Sequence, residues 1–233
     1  MKRTLYILFL APLCILSILT IAYLFSKDEP LFFLKNVKVS GVSQLSERDI
    51  MGRITPYLKD SLLRIDIGKI KEAIAAHPFV REVRVKRAYP FSVVIDVKEK
   101  VPSALWVKDN GDVLVLDESG EPYRKMGKGD IKGLFIINTK DEADAASIFR
   151  QVNTWSKEGV MKKDNLSEVA YNEGNVTLFG IDDGVEIILG KEEQKKRLKR
   201  AVAVLEDAKK RGLLIKCIDA RFEKGAIIQE RKG

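Results

Sequence analysis

Few side chains in this chain of 233 residues could carry out a reaction. Its one histidine, His77, stands directly before Pro78. General-base chemistry would need a nucleophile and an orienting acid around it, and the chain has no nucleophile-elbow pattern. At a helix end, a histidine instead serves the terminal carbonyls and the helix dipole, or is simply exposed at the surface. The two cysteines, Cys14 and Cys217, supply neither a disulfide scaffold nor a zinc module. Cys217 lies in an apolar stretch and reads as a core residue. Asp182-Asp183-Gly184 invites a calcium reading. It lacks the further spaced oxygen ligands and terminal glutamate of an EF-hand loop, so it reads as a turn. Neither a Gly-Lys-Ser/Thr phosphate loop nor a dinucleotide fingerprint is present. Two acids flanking a sugar bond need not betray themselves by spacing, so a cell-wall-modifying enzyme stays open as an alternative. The expectation is a protein with no catalytic residue, no cofactor and no metal.

The clearest signal is physical. Thr4 to Ser26 contains no charge. As a helix, such a run reaches about 34 Å, against roughly 30 Å of bilayer hydrocarbon. A cleaved signal peptide has a shorter apolar core and a small-residue cleavage site, whereas this run leaves through Tyr23-Leu24-Phe25. Residues 4–26 therefore read as an uncleaved anchor. Lys2 and Arg3 precede it, and Lys27, Lys35 and Lys38 follow, so charge bias barely chooses an orientation. The signal-anchor layout favours a cytoplasmic N-terminus. An external location makes nucleic acid a poor partner, and without Lys2 and Arg3 the 39 basic and 33 acidic residues that remain leave +6, a modest charge that suits an anionic surface.

After a linker at 27–31, Val37-Lys38-Val39-Ser40-Gly41 alternates and stops at glycine, as a strand does. Ser46 with Asp49 three residues on predicts a helix start, followed by Ile50 and Ile54 on one face. Asp66 caps a second helix carrying Ile70 and Ile74, which Pro78 ends. Val83-Arg84-Val85 and Val93 to Val97, on either side of Tyr89-Pro90, make a hairpin. Beyond Pro102 the pattern turns to β. Strands are expected at Ala104 to Val107, Val113 to Leu116, Leu134 to Ile137, Glu168 to Tyr171, Val176 to Phe179 and Val185 to Leu189. Two more follow at Leu213 to Ala220 and Ala226 to Gln229. Asp141 to Lys157 and Glu192 to Lys210 read as helices. The second lies in a stretch, Lys191 to Arg211, with nine basic and four acidic residues. That reads as a solvated face, with a patch for an anionic partner as the sharper alternative.

Strand, helix, helix, strand, strand, with Ile74 to Pro78 and Tyr89-Pro90 at these places, resembles a POTRA domain. The whole layout is similar to the FtsQ/DivIB family of bacterial cell-division proteins, closer to the FtsQ form because only three residues precede the anchor. The resemblance implies an α+β fold. Its parts are a tail at 1–3, a transmembrane helix at 4–26, a linker at 27–31, a βααββ POTRA domain at 32–101 and a β-rich domain with two flanking helices at 102–233. It implies a bitopic scaffold of the division machinery in the inner membrane at the septum, with its exterior domains periplasmic. That scaffold would link early and late division proteins and regulate septal wall synthesis by taking up partner strands. The implied partners are small membrane proteins of the FtsB and FtsL kind, with other division proteins at the POTRA domain and no small-molecule substrate. The matching partner-binding stretch is Arg221, Phe222, Glu223, Lys224, Gly225 and Ala226, together with Lys191. Arg221 could grip a partner carboxylate with two bonds, and Phe222, where the family usually has tyrosine, could supply an apolar anchor. A possible second edge runs along Arg81, Arg84 and Lys86. A secretion or outer-membrane assembly factor that uses POTRA domains is the remaining alternative.

Overall fold

A computed structural model describes residues 2–24, 32–59, 61–128, 133–181 and 184–231. The end of the expected anchor at 25–26, the linker at 27–31 and Asp182-Asp183 of the aspartate turn lie outside the described residues. Helix α1 spans Lys2–Leu24 with Pro12 inside it. All its described side chains, 10–23, are exposed. Counted over the described residues alone, no helix is long and apolar enough to cross a membrane. The chain divides into two compact units, Met1–Lys100 and Val101–Gly233.

The first unit holds the expected βααββ domain. Strand β1 (Asn36–Ser40) pairs parallel with β3 (Ser92–Glu99), which pairs antiparallel with β2 (Val80–Ala88), so the sheet runs β1-β3-β2. Alternation places Val93, Ile95 and Val97 of β3 in the core. Helices α2 (Glu47–Ile54) and α3 (Ile67–Ala75) add Ile50, Ile54, Ile70 and Ile74. Both starts obey the sequence. Ser46 Oγ accepts from the Asp49 N–H at 3.1 Å while Asp49 accepts from the Ser46 N–H at 3.2 Å. Asp66 accepts from the N–H groups of Gly68 and Lys69. Gly41, at φ +79°, closes β1 where a Cβ would lie 2.0 Å from the Val97 carbonyl oxygen.

One buried acid in this unit escaped the sequence reading. Glu99 accepts from the backbone N–H groups of Ser43, Gln44 and Leu45 and from the Ser43 hydroxyl. It thereby ties the end of β3 to the loop that leads into α2.

The second unit is β-rich with two helices. Its strands are β4 (Ala104–Val107), β5 (Val113–Leu116), β6 (Pro122–Lys125), β7 (Ile136–Asn138), β8 (Glu168–Asn172), β9 (Asn175–Ile181), β10 (Val185–Gly190), β11 (Ile215–Asp219) and β12 (Ile227–Glu230). They form one sheet in the order β12-β11-β10-β9-β8-β7-β4-β5-β6. Helix α4 (Glu142–Lys157) connects the parallel neighbours β7 and β8, and α5 (Gln194–Lys210) connects the parallel neighbours β10 and β11. Parallel pairs require such crossovers. The helices bury the expected stripes, Ala145, Ile148, Val152 and Trp155 on α4 and Leu198, Ala201, Leu205 and Ala208 on α5. Helix α5 starts two residues later than expected, because Glu193 is left-handed at φ +46°. Strand β6 was not expected, since Pro122 and two basic residues mask its pattern.

A candidate partner-binding edge

Strand β12 is the outermost strand at its end of the nine-stranded sheet, and all four of its residues are exposed. Ile227 is 58% and Ile228 39% exposed, large values for isoleucine in a strand. Its inner side pairs antiparallel with β11, from Ile215↔Glu230 to Asp219↔Ile227. In a strand paired on one side only, alternate residues turn N–H and C=O outward.

The expected binding stretch, Arg221 to Ala226, is the turn between β11 and β12, so it borders the open edge without being a strand itself. Phe222 is 45% exposed, whereas a phenylalanine is ordinarily core. Glu223, Lys224 and Gly225 are exposed, and Ala226 packs partly on the core. Arg221 departs from expectation. Its guanidinium is already bidentate on Asp219 of the same chain, at 2.9 Å through Nε and 2.6 Å through Nη2. Arg221 hydrogen-bonding, opposed by partial burial, holds the Asp219 carboxyl below its usual range.

Helix α5 fixes the turn. Arg200 donates to the carbonyls of Ala220 at 2.8 Å and Glu223 at 2.9 Å, and also to that of Phe222. Three carbonyls converging on one guanidinium define the turn's shape. One helical turn earlier, Arg197 donates to the Leu189 carbonyl at 2.8 Å. Gly190, at φ +71°, sits against both Arg197 and Arg221, and a Cβ there would come within 3.1 Å of each. Lys191 follows it and is exposed, at the end of β10 beside the end of β11. The fold thus brings Lys191 and the turn to one end of adjacent strands. Sequence reading had Arg200 only as part of a basic run, and no spacing signal links it to residues twenty or more positions away.

The other nominated groups lie elsewhere. Arg81, Arg84 and Lys86 are exposed on β2, an outermost strand of the first unit's sheet. Arg84 pairs with Glu82 of its own strand at 2.9 Å. His77 does not serve a helix carbonyl through its ring: Nδ1 accepts from the Phe79 N–H at 3.2 Å. Partial burial lowers its pKa, so the neutral ring is the favoured form. Cys217 is half-buried rather than core, and burial together with nearby Glu186 pushes its thiol up. Among the described residues, no group of three or more His, Cys, Asp or Glu could hold a metal ion.

Residues 32–100 match the family model of the FtsQ-type POTRA domain, and residues 104–221 match that of the FtsQ/DivIB C-terminal domain. The chain belongs to the FtsQ/DivIB family. Cell division protein FtsQ of Myxococcus fulvus is 28% identical over 200 residues, covering 81% of this chain and 69% of that protein. FtsQ of Geobacter sp. strain M21 is 24% identical over 209 residues, covering 84% and 76%. FtsQ of Syntrophotalea carbinolica is 23% identical over 222 residues, covering 90% and 77%. The C-terminal family match ends at Arg221, so Phe222 and all of β12 lie beyond it.

Proposed function

We propose that this FtsQ-family protein is a non-enzymatic scaffold of cell division that takes up a partner strand along the outer edge of β12. The carrying observation is that open edge, four exposed residues long and apolar at Ile227 and Ile228. The opposite end of the sheet supports the choice. There β6 opens on Pro122 and carries Arg124 and Lys125, features that discourage strand addition. At β12, main-chain bonds would supply affinity and alternate side chains specificity. Phe222 would cover the partner's apolar residues, and Lys191 and Lys224 would favour acidic flanks.

The partner that fits is an extended segment of a small bitopic division protein of the FtsB or FtsL kind. The outermost position of β2 supports a second docking edge for other division proteins, where Arg81 and Lys86 would meet acidic side chains rather than an added strand. The uncharged run at 4–26 supports an inner-membrane anchor, and its signal-anchor layout favours a cytoplasmic N-terminus with residues 32 onward in the periplasm. A shared membrane would raise the partners' effective concentration.

Proximity crosslinking in living cells tests the edge. Photoreactive residues at 222 and 227 should trap a small membrane protein at mid-cell, while one at 124 on β6 should not. Equal trapping from all three positions, or none from 222 and 227, removes the assignment.

A further inference from the structure

The first unit carries an exposed aromatic group where the chain enters it. Phe33 is 42% and Tyr89 59% exposed. Phe32 meets Tyr89 edge-on at 5.5 Å between ring centroids, and Phe33 meets Phe91 at 5.7 Å. The Lys35 ammonium lies 4.9 Å from the Phe33 ring and 4.4 Å from the Phe91 ring.

Main-chain bonds hold the group together. The Leu62 N–H donates to the Phe32 carbonyl at 2.6 Å, and the Lys35 N–H donates to the Phe91 carbonyl at 2.8 Å. Phe33 also bridges Ser61. The entering segment and the turn between β2 and β3 therefore form one end of the unit, with Tyr89-Pro90 at its exposed tip. Exposed aromatic rings scattered singly need no explanation, but these are clustered, and two of them share a cation.

Chain length places this end. Seven residues separate Leu24, the last residue of α1, from Phe32. Fully extended, that stretch reaches about 29 Å. If α1 is anchored, the aromatic end cannot leave the neighbourhood of the bilayer surface. Tyrosine settles at the headgroup level of a membrane with its ring dry and its hydroxyl wet, and phenylalanine beside it adds apolar area that the acyl boundary covers. Lysine beside them can bury its stem and present its ammonium to lipid phosphate. Lys59, exposed two residues before the Ser61 bridge, adds a second cation to this end.

We propose that Phe33, Tyr89, Phe91 and Lys35 form an interfacial collar that seats the POTRA domain in the headgroup layer of an anionic membrane. The collar rests on the reading of 4–26 as an anchor. It gives the first unit a second attachment, so that its orientation to the lipid is set by contact as well as by a tether.

The full chain in lipid nanodiscs tests this. The native Trp106 and Trp155 are each 2% exposed and provide a constant fluorescence background. Discs of phosphatidylethanolamine and phosphatidylglycerol would carry lipid brominated at the headgroup end of its acyl chains. The added fluorescence of Tyr89→Trp should fall roughly twofold in them, as expected for a ring at the interface. That of Ala76→Trp, at the exposed C-terminal end of α3, should not change. Adding Phe33→Ser and Lys35→Glu to Tyr89→Trp should restore the signal while circular dichroism stays unchanged. A disc-bound chain whose Tyr89→Trp signal is unquenched overturns the collar alone, and a protein partner as occupant would give that result. A chain that elutes apart from the discs overturns the anchor and the collar together.

Discussion

Arg221 and Asp219 form a bidentate ion pair across the last residue of β11 and the first residues of the turn, with Nη2 to Oδ2 at 2.6 Å. A residue nominated to grip a partner therefore grips its own chain. Arg221 is more than half exposed, and water screens much of the pair's attraction.

Arg221→Ala should accordingly lower the stability of the full chain only slightly in urea unfolding, since water screens the exposed pair. Arg221→Glu should cost more, because it sets a second carboxylate beside Asp219. If Arg221→Ala leaves strand binding intact while Arg221→Glu weakens it, the pair shapes the turn rather than reading the partner.

Phe222 and β12 should govern affinity directly. Phe222→Ala should weaken binding of a partner segment by about tenfold, the effect of losing one interface anchor. Ile228→Pro removes an N–H from the short edge strand and should weaken it further. Calorimetry against a synthetic segment measures both, with near-ultraviolet circular dichroism reporting the fold. Undiminished affinity in both variants would dismiss β12 as the docking edge.

Arg200 should act through the turn. Arg200→Ala leaves three carbonyls without their shared donor, which should cost about 1–3 kcal/mol. Hydrogen exchange should rise at 220–226 while that of β8 and β9 stays protected. Unchanged exchange at 220–226 would mean that the turn keeps its shape without the clamp.

Acid should weaken the first unit through Glu99. Burial raises this carboxyl's pKa, but bonds from the Gln44, Leu45 and Ser43 backbone and the Ser43 hydroxyl outweigh burial, and the net shift is downward. A carboxylate lowered on folding stabilises the fold above its unfolded pKa, and that share is lost as pH falls through the folded value. Glu99→Gln should cost about 2 kcal/mol at neutral pH and flatten the acid limb of the stability curve. A variant with the wild-type acid dependence would assign that limb to other carboxylates.

Much of the architecture was legible because it is written locally. The Ser46 and Asp66 caps, the α4 and α5 stripes and the β2–β3 hairpin each depend on residues a few positions apart. Phe149 was missed on α4, and β6 was missed because proline and charge interrupt its alternation. The site was only half legible. The sequence nominates Phe222 and Lys191, which the fold leaves exposed, but carries no signal for the Arg200 clamp, the Asp219 pair or the exposure of Ile227 and Ile228.

By itself, the sequence determined most of the order of elements, the capped starts of α2 and α3 and the uncharged run at 4–26, since propensity, periodicity and charge act between near neighbours. Only the tertiary structure decided that β12 lies outermost, that Arg221 is spent on Asp219 and that Glu99 holds the loop before α2. Strand order and long-range hydrogen bonds join residues far apart in the chain, and no local pattern records which of many possible partners the packed fold brings within reach.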